Sequence, residues 1–254
     1  MIKQAFRWIV VMALVAAPAV ASAANYVVHI HGRTQTTWDD TIYWISGYTS
    51  VKCDYEAKYN TLSQSNVTVR DCLGTYCSGS NSCIVVAYSN GANQVHYTQQ
   101  YYPSKLANLQ YVESGGSAEG GSELTDVGSA VQSFLDWFGI DFEVYYPNGV
   151  DATLSVSSAR NAYNHDINNG KTTYHVSGNT NAGNGLWWAT AGFLPGDDDG
   201  VVSWASSYGC RDSGDQPTTC SKFTGHVSDT WCVSNGEWDG YDHFSMDERA
   251  SWCY

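Results

Sequence analysis

The stretch that most limits the possible folds is Cys83-Ile84-Val85-Val86-Ala87-Tyr88, followed without a spacer by Ser89-Asn90-Gly91-Ala92-Asn93. An unbroken, β-branched apolar run with no polar alternation reads as a strand buried on both faces. That is the situation of a parallel sheet covered by helices. The next residues, Gln94 to Tyr101, have helix-compatible spacing and stop at Pro103. Strand, small-residue turn and helix make one βα unit, and the rest of the chain has to be compatible with it.

Other segments fit the same class. Tyr26-Val27-Val28-His29-Ile30-His31-Gly32 reads as a second buried strand ending at a glycine. Val51 to Tyr59, Leu109 to Val112 and Thr172 to Val176 are further strand candidates, Trp38 to Tyr48 is expected to be partly helical, and Ser122 to Phe138 is expected to open and continue a helix. Residues 139–192 are rich in Asn, Gly, Tyr and Trp. With no internal repeat and no biased linker, the reading is an α/β class with a mainly parallel central sheet flanked by helices, over 25–254 as one domain.

The first 24 residues read as a targeting segment. Lys3 and Arg7 form a positive start, Ile9 to Val20 is apolar, and Ala21-Ser22-Ala23 supplies a small-residue cleavage pattern, which places the mature start near Ala24 or Asn25. The apolar run is short for a membrane span and no second one follows, so a secreted or periplasmic protein with no integral span is expected. All eight cysteines (53, 72, 77, 83, 210, 220, 232 and 253) lie beyond this segment, as in a disulfide framework of an exported protein. Closing each on its neighbour gives 53–72, 77–83, 210–220 and 232–253. Eight cysteines admit about 105 pairings, so the sequence leaves the connectivity open. No C-x-x-C pair is present, which argues against zinc. The net charge of −13 repels phosphate backbones, and nucleic acid is not an expected partner.

Chemistry concentrates at the first βα turn. Ala87-Tyr88-Ser89-Asn90-Gly91 fits the nucleophile elbow G-x-S-x-G with Ala in the first position. The bend is sharp, so the positions two before and two after the serine must be small. His31-Gly32-Arg33-Thr34 follows a strand as an oxyanion-loop segment does, which nominates the backbone N–H groups of Arg33 and Asn90 as oxyanion donors. In this fold type the acid and then the base follow the serine. The run Asp197-Asp198-Asp199-Gly200 supplies three candidate acids, and His226 and His243 are the two histidines beyond it.

These islands resemble the secreted bacterial triacylglycerol lipases of the α/β-hydrolase fold. Val28 to Gly32 resembles the family's oxyanion segment, Ala87 to Gly91 its elbow, and Gly120 to Asp126 its G-S-x-x-A-D turn. Asp199-Gly200-Val201-Val202 with Ser206-Ser207-Tyr208-Gly209 resembles the block carrying the catalytic Asp, and His243 with Asp247-Glu248 the block carrying the catalytic His. The resemblance implies Ser89 as nucleophile, Asp199 as orienting acid, His243 as base, and Arg33 and Asn90 as oxyanion donors. It implies hydrolysis of carboxylic esters (lipid, polyester or small ester) through an acyl-enzyme, and a lid or substrate-pocket insertion within 139–192. The chain departs from the family in placing Asp247 four residues after His243, so calcium is not expected, and in having Ala205 where the family has a cysteine. No other metal and no cofactor is expected. Trp187, Trp188, Phe193 and Trp204 are candidates for an acyl pocket or for core. The rival readings are a non-catalytic carbohydrate- or surface-binding protein on the same scaffold, and an acyltransferase or peptidase using the same triad. The oligomeric state is not legible.

Overall fold

In a computed structural model of the chain, the described residues are 23–33, 38, 44–128, 148–178, 190, 193–208, 230–231, 237–238, 242–243 and 246. Among the described residues seven strands form one sheet: β1 (Asn25–Ile30), β2 (Thr49–Lys52), β3 (Ser82–Tyr88), β4 (Leu109–Gly115), β5 (Thr172–Gly178), β6 (Thr230–Trp231) and β7 (Glu237–Trp238). Their order is β2-β1-β3-β4-β5-β6, with β7 pairing further along β5, and every described pairing is parallel. The helices are α1 (Leu62–Tyr76), α2 (Asn90–Tyr101), α3 (Glu123–Asp126), α4 (Val150–Leu154), α5 (Val156–Ala162) and α6 (Trp204–Tyr208). The expected mainly parallel sheet flanked by helices is what the chain forms.

Because side chains alternate across a strand, the apolar runs of β1 and β3 feed two cores at once. Val28, Ile30, Val85, Ala87 and Val112 pack on one face against Val69 and Leu73 of α1 and Ala92 and Val95 of α2. Val27, Val86, Tyr88 and Val176 pack on the other with Trp38 and Met246. Trp204 is also fully enclosed, whereas Phe193 is exposed; Trp187 and Trp188 lie outside the described residues.

Several boundaries differ from those the sequence suggests. The strand expected at 51–59 is β2, earlier and shorter; Cys53, just beyond it, donates its N–H to His29 O of β1 at 2.9 Å and is joined to Cys72 of α1. α2 begins at Asn90 rather than Gln94, directly from the turn. β4 continues to Gly115, past the expected end at Val112. α1 was not expected from the hydrophobic pattern, and neither were the short α4, α5 and α6. Residues 46–47 form a turn rather than helix, and only Glu123–Asp126 of the helix expected over 122–138 is described together with its immediate surroundings. A second disulfide, Cys77–Cys83, joins the end of α1 to β3. The other four cysteines lie outside the described residues, as do residues 1–22 of the targeting segment and 139–147, 179–189 and 191–192.

The topology itself creates a place for a ligand. From β1 the chain crosses outward to β2 and returns through α1 to β3 on the opposite flank of β1. Connections therefore leave the carboxyl ends of β1 and β3 in opposite directions, which opens a crevice between the loops that follow them. His31 to Arg33 lines one side of that crevice and Ser89 the other.

Candidate active site

Ser89 joins β3 to α2 with φ 54° and ψ −123°, a left-handed-side conformation that a residue with a Cβ adopts only when its surroundings enforce it. Here they do. The Ser89 N–H donates to Gly115 O at 2.9 Å, and Ser89 O accepts from Ala92 N–H at 3.2 Å and from Ala118 N–H at 3.4 Å. The close approach needs small residues. A Cβ on Gly91 would lie 2.4 Å from Ile30 O and 2.8 Å from His31 O, both backbone atoms, and one on Gly32 would lie 3.2 Å from the Cβ of Ser89. This is the steric reason for the small residues of the elbow pattern, and Ala87, fully buried, serves in the first position.

The serine hydroxyl donates to His243 Nε2 at 2.9 Å, and His243 Nδ1 donates to Asp199 Oδ2 at 2.7 Å. That pair of bonds fixes the tautomer: the proton is on Nδ1 and the lone pair on Nε2 faces the hydroxyl. The other carboxylate oxygen, Asp199 Oδ1, accepts from Val201 N–H at 3.0 Å and Val202 N–H at 2.7 Å, and His243 N–H donates to Asp199 O at 2.8 Å. Ser89, His243 and Asp199 are all nearly or wholly buried. Tyr88 packs against the imidazole at 5.2 Å between ring centroids, and Gly116 (φ 52°) leaves room for it, since a Cβ there would meet His243 Nδ1 at 3.1 Å. Three side chains far apart in sequence are thus brought into one hydrogen-bonded line.

Geometry also distinguishes the three aspartates. Asp199 alone bonds the histidine. Asp198 turns its Oδ1 to Gly200 N–H at 2.8 Å, and Asp197 offers its backbone carbonyl to Trp204 N–H at 2.9 Å. Burial pushes the Asp198 carboxyl up to about 6, opposed by the Gly200 bond and assisted by the neighbouring charges of Asp199 and Asp197. These residues sit in a turn closed by the Asp198–Ser203 bridge. His226, the other candidate base, lies outside the described residues.

The remaining histidines have different work. His31 Nε2 accepts from Tyr55 N–H at 3.3 Å, so its proton is on Nδ1, which donates to Gly32 O at 3.0 Å. Tyr55 stacks on the His31 ring and its hydroxyl donates to His31 O at 2.9 Å. His29 packs edge-on to Trp38, and burial lowers its pKa to about 4, partly offset by its bond to Val51 O. His96 and His165 flank the buried Glu119 carboxylate at 3.5 and 3.7 Å.

Sequence reasoning missed the partner of Arg33. Its Nε and Nη2 donate to the two oxygens of Asp151, each at 2.5 Å, and Asp151 is buried in the first turn of α4. A separation of 118 residues leaves no local signal for such a pair. Among the described residues no group of three or more His, Cys, Asp and Glu could hold a metal ion, and no helix is long and apolar enough to cross a membrane.

No protein-family model matches the chain, and no curated protein matches it in sequence. Solved structures do. The mature lipase BlEst2 of Bacillus licheniformis superposes with a TM-score of 0.59 at 17% identity, over 91% of this chain and 89% of that one. The metagenomic carboxyl esterase MGS0156 gives 0.59 at 14%, over 92% and 72%. The phospholipase PlaB of Legionella pneumophila gives 0.57 at 14%, over 87% and 53%. At these identities the likeness is one of fold: the chain has the α/β-hydrolase fold of these enzymes.

Proposed function

We propose that the protein is a secreted serine hydrolase of carboxylic esters, with Ser89 as nucleophile, His243 as base and Asp199 as orienting acid. The observation that carries this reading is the pair of bonds through one imidazole, 2.9 Å to the serine oxygen and 2.7 Å to a buried carboxylate. The lipase, the esterase and the phospholipase that share its fold support the ester substrate class. Export is supported by the Ala21-Ser22-Ala23 pattern and by the two disulfides.

In the first half-reaction His243 Nε2 takes the hydroxyl proton as Ser89 Oγ attacks the ester carbonyl carbon. The Nδ1–H bond to Asp199 stabilises the imidazolium that forms. Negative charge develops on the carbonyl oxygen, which the N–H groups of Arg33 and Asn90 receive. Asn90 is the first residue of α2, where an N–H has no acceptor within the helix and is free to serve. Collapse expels the alcohol with the proton from His243. Water, deprotonated by the same imidazole, then releases the acid from the acyl-serine.

The test is covalent labelling with a fluorophosphonate and mapping of the modified peptide, together with turnover of short p-nitrophenyl esters. Label on Ser89, and loss of both label and turnover in a folded Ser89→Ala variant, are the expected results. A folded wild type that takes no label would favour the non-catalytic binding alternative.

A further inference from the structure

Removing a carboxylate from water costs several kcal/mol, and a buried ion pair seldom repays that cost in stability. The pair Arg33–Asp151 therefore needs an account other than stability. Asp151 is fully enclosed, the Arg33 side chain is 19% exposed, and both prongs of the fork are engaged. What Arg33 carries besides its side chain is the backbone N–H proposed above as an oxyanion donor, on a loop that passes beside Ser89.

The loop is gripped on both sides of that N–H. Before it, Tyr55 holds His31 by stacking, by its N–H and by its hydroxyl. After it, the hold is the side-chain fork to Asp151. The helix bearing Asp151 is itself seated on two frames. Val150 N–H donates to Lys58 O at 3.4 Å, and the Leu154 carbonyl at the other end accepts from Ser122 N–H at 2.9 Å. Ser122 belongs to the loop in which Ala118 N–H reaches the Ser89 carbonyl. Asp151 is thus referenced to the same loop that holds the nucleophile.

We propose that Asp151 is a positioning residue: through its two-pronged bond to Arg33 it sets the distance between the Arg33 N–H and the Ser89 hydroxyl. The inference rests on the hydrolase reading and adds to it a residue outside the triad and the oxyanion donors. A fork to a planar guanidinium fixes orientation as well as distance, which a single bond from lysine does not.

The experiment uses the full mature chain with Asp151→Asn and Arg33→Lys. Each is assayed for kcat and KM on a short p-nitrophenyl ester. Each is also titrated with phenylboronic acid, whose tetrahedral serine adduct places an oxygen in the oxyanion site, and with the product carboxylic acid. Displacing a donor rather than deleting it is expected to lower kcat by about 10- to 100-fold with KM within about threefold. Boronate affinity should fall in step with kcat while product affinity holds, a split that loss of folded protein would not produce. If Asp151→Asn fails to fold, Arg33→Lys, which keeps the opposite charges together, carries the measurement. A folded variant with wild-type kcat, or one in which KM rises at constant kcat, would overturn the inference and leave the hydrolase reading intact. A wild type that neither labels nor turns over would overturn both.

Discussion

Gly91→Ala tests how tightly the elbow is drawn against the oxyanion loop. The added methyl would sit 2.4 Å from Ile30 O, 2.8 Å from His31 O and 3.0 Å from Ile30 C. None of these is a side-chain end that swings away: all are backbone atoms where β1 runs into the loop carrying Gly32 and Arg33. Ordinary contact at an added Cβ begins at 3.4 Å, so α2 and β1 must separate by about 1 Å, at the scale of core overpacking, about 1–3 kcal/mol. The separation falls between Asn90 on one side and Arg33 on the other. A misplacement of about 1 Å in a catalytic arrangement costs about 100-fold in rate. The expected phenotype is a folded protein, modestly less stable to urea, whose kcat on a p-nitrophenyl ester falls about 100-fold and whose fluorophosphonate labelling slows in parallel. Full turnover from a folded Gly91→Ala protein would refute the reasoning, because it would mean that the N–H groups tolerate the displacement or that none occurs.

Two further predictions concern stability. The Asp198 carboxyl lies at about 6 in the folded protein against 3.8 for the free side chain, so between those pH values the folded state keeps a proton that the unfolded chain has lost. Stability is fully present below about pH 4 and declines as pH rises through 6, by at most about 3 kcal/mol at roughly 1.4 kcal/mol per pH unit. Asp198→Asn should therefore raise the urea midpoint at pH 7.5 more than at pH 4, and an equal change at both would contradict the assignment. Replacing Cys53 and Cys72 together by serine opens a loop spanning 19 residues. That should cost about 3 kcal/mol in equilibrium unfolding, and a loss below about 0.5 kcal/mol would show that the link constrains little.

The readable parts of this fold are those where one physical demand dominates. β3 is buried on both faces, so its apolar run shows, and the bend at Ser89 has no room for large neighbours, so Ala87 and Gly91 show. α1 was not legible because its inward face is not uniformly apolar. Asn66 sits there beside Val69 and Leu73, its amide satisfied by Gln94 O, Gln94 Oε1 and Thr98 Oγ1 of α2 at 2.9 to 3.1 Å. A polar residue whose partners come from another helix breaks the hydrophobic period without breaking the helix. The local signal that was present is the cap, with Gln64 Oε1 accepting from Thr61 N–H at 2.9 Å. Among the site residues, resemblance singled out Asp199, and in the fold only Asp199 of the three aspartates meets the imidazole. Asp151 leaves no trace in sequence because its meaning lies wholly in a distant partner.

The linkage of the first four cysteines bears on how the protein is made. Each of the two cross-links joins a cysteine to the next one along the chain, and neither straddles the other. On a polypeptide threading out amino end first, the correct mate for Cys53 is the first thiol to follow it, and the same holds for Cys77. An oxidant acting on thiols in their order of appearance leaves no wrong pair here for an isomerase to undo. Under the export proposed above, the strand that presents residue 89 would be anchored before the segments bearing residues 199 and 243 emerge.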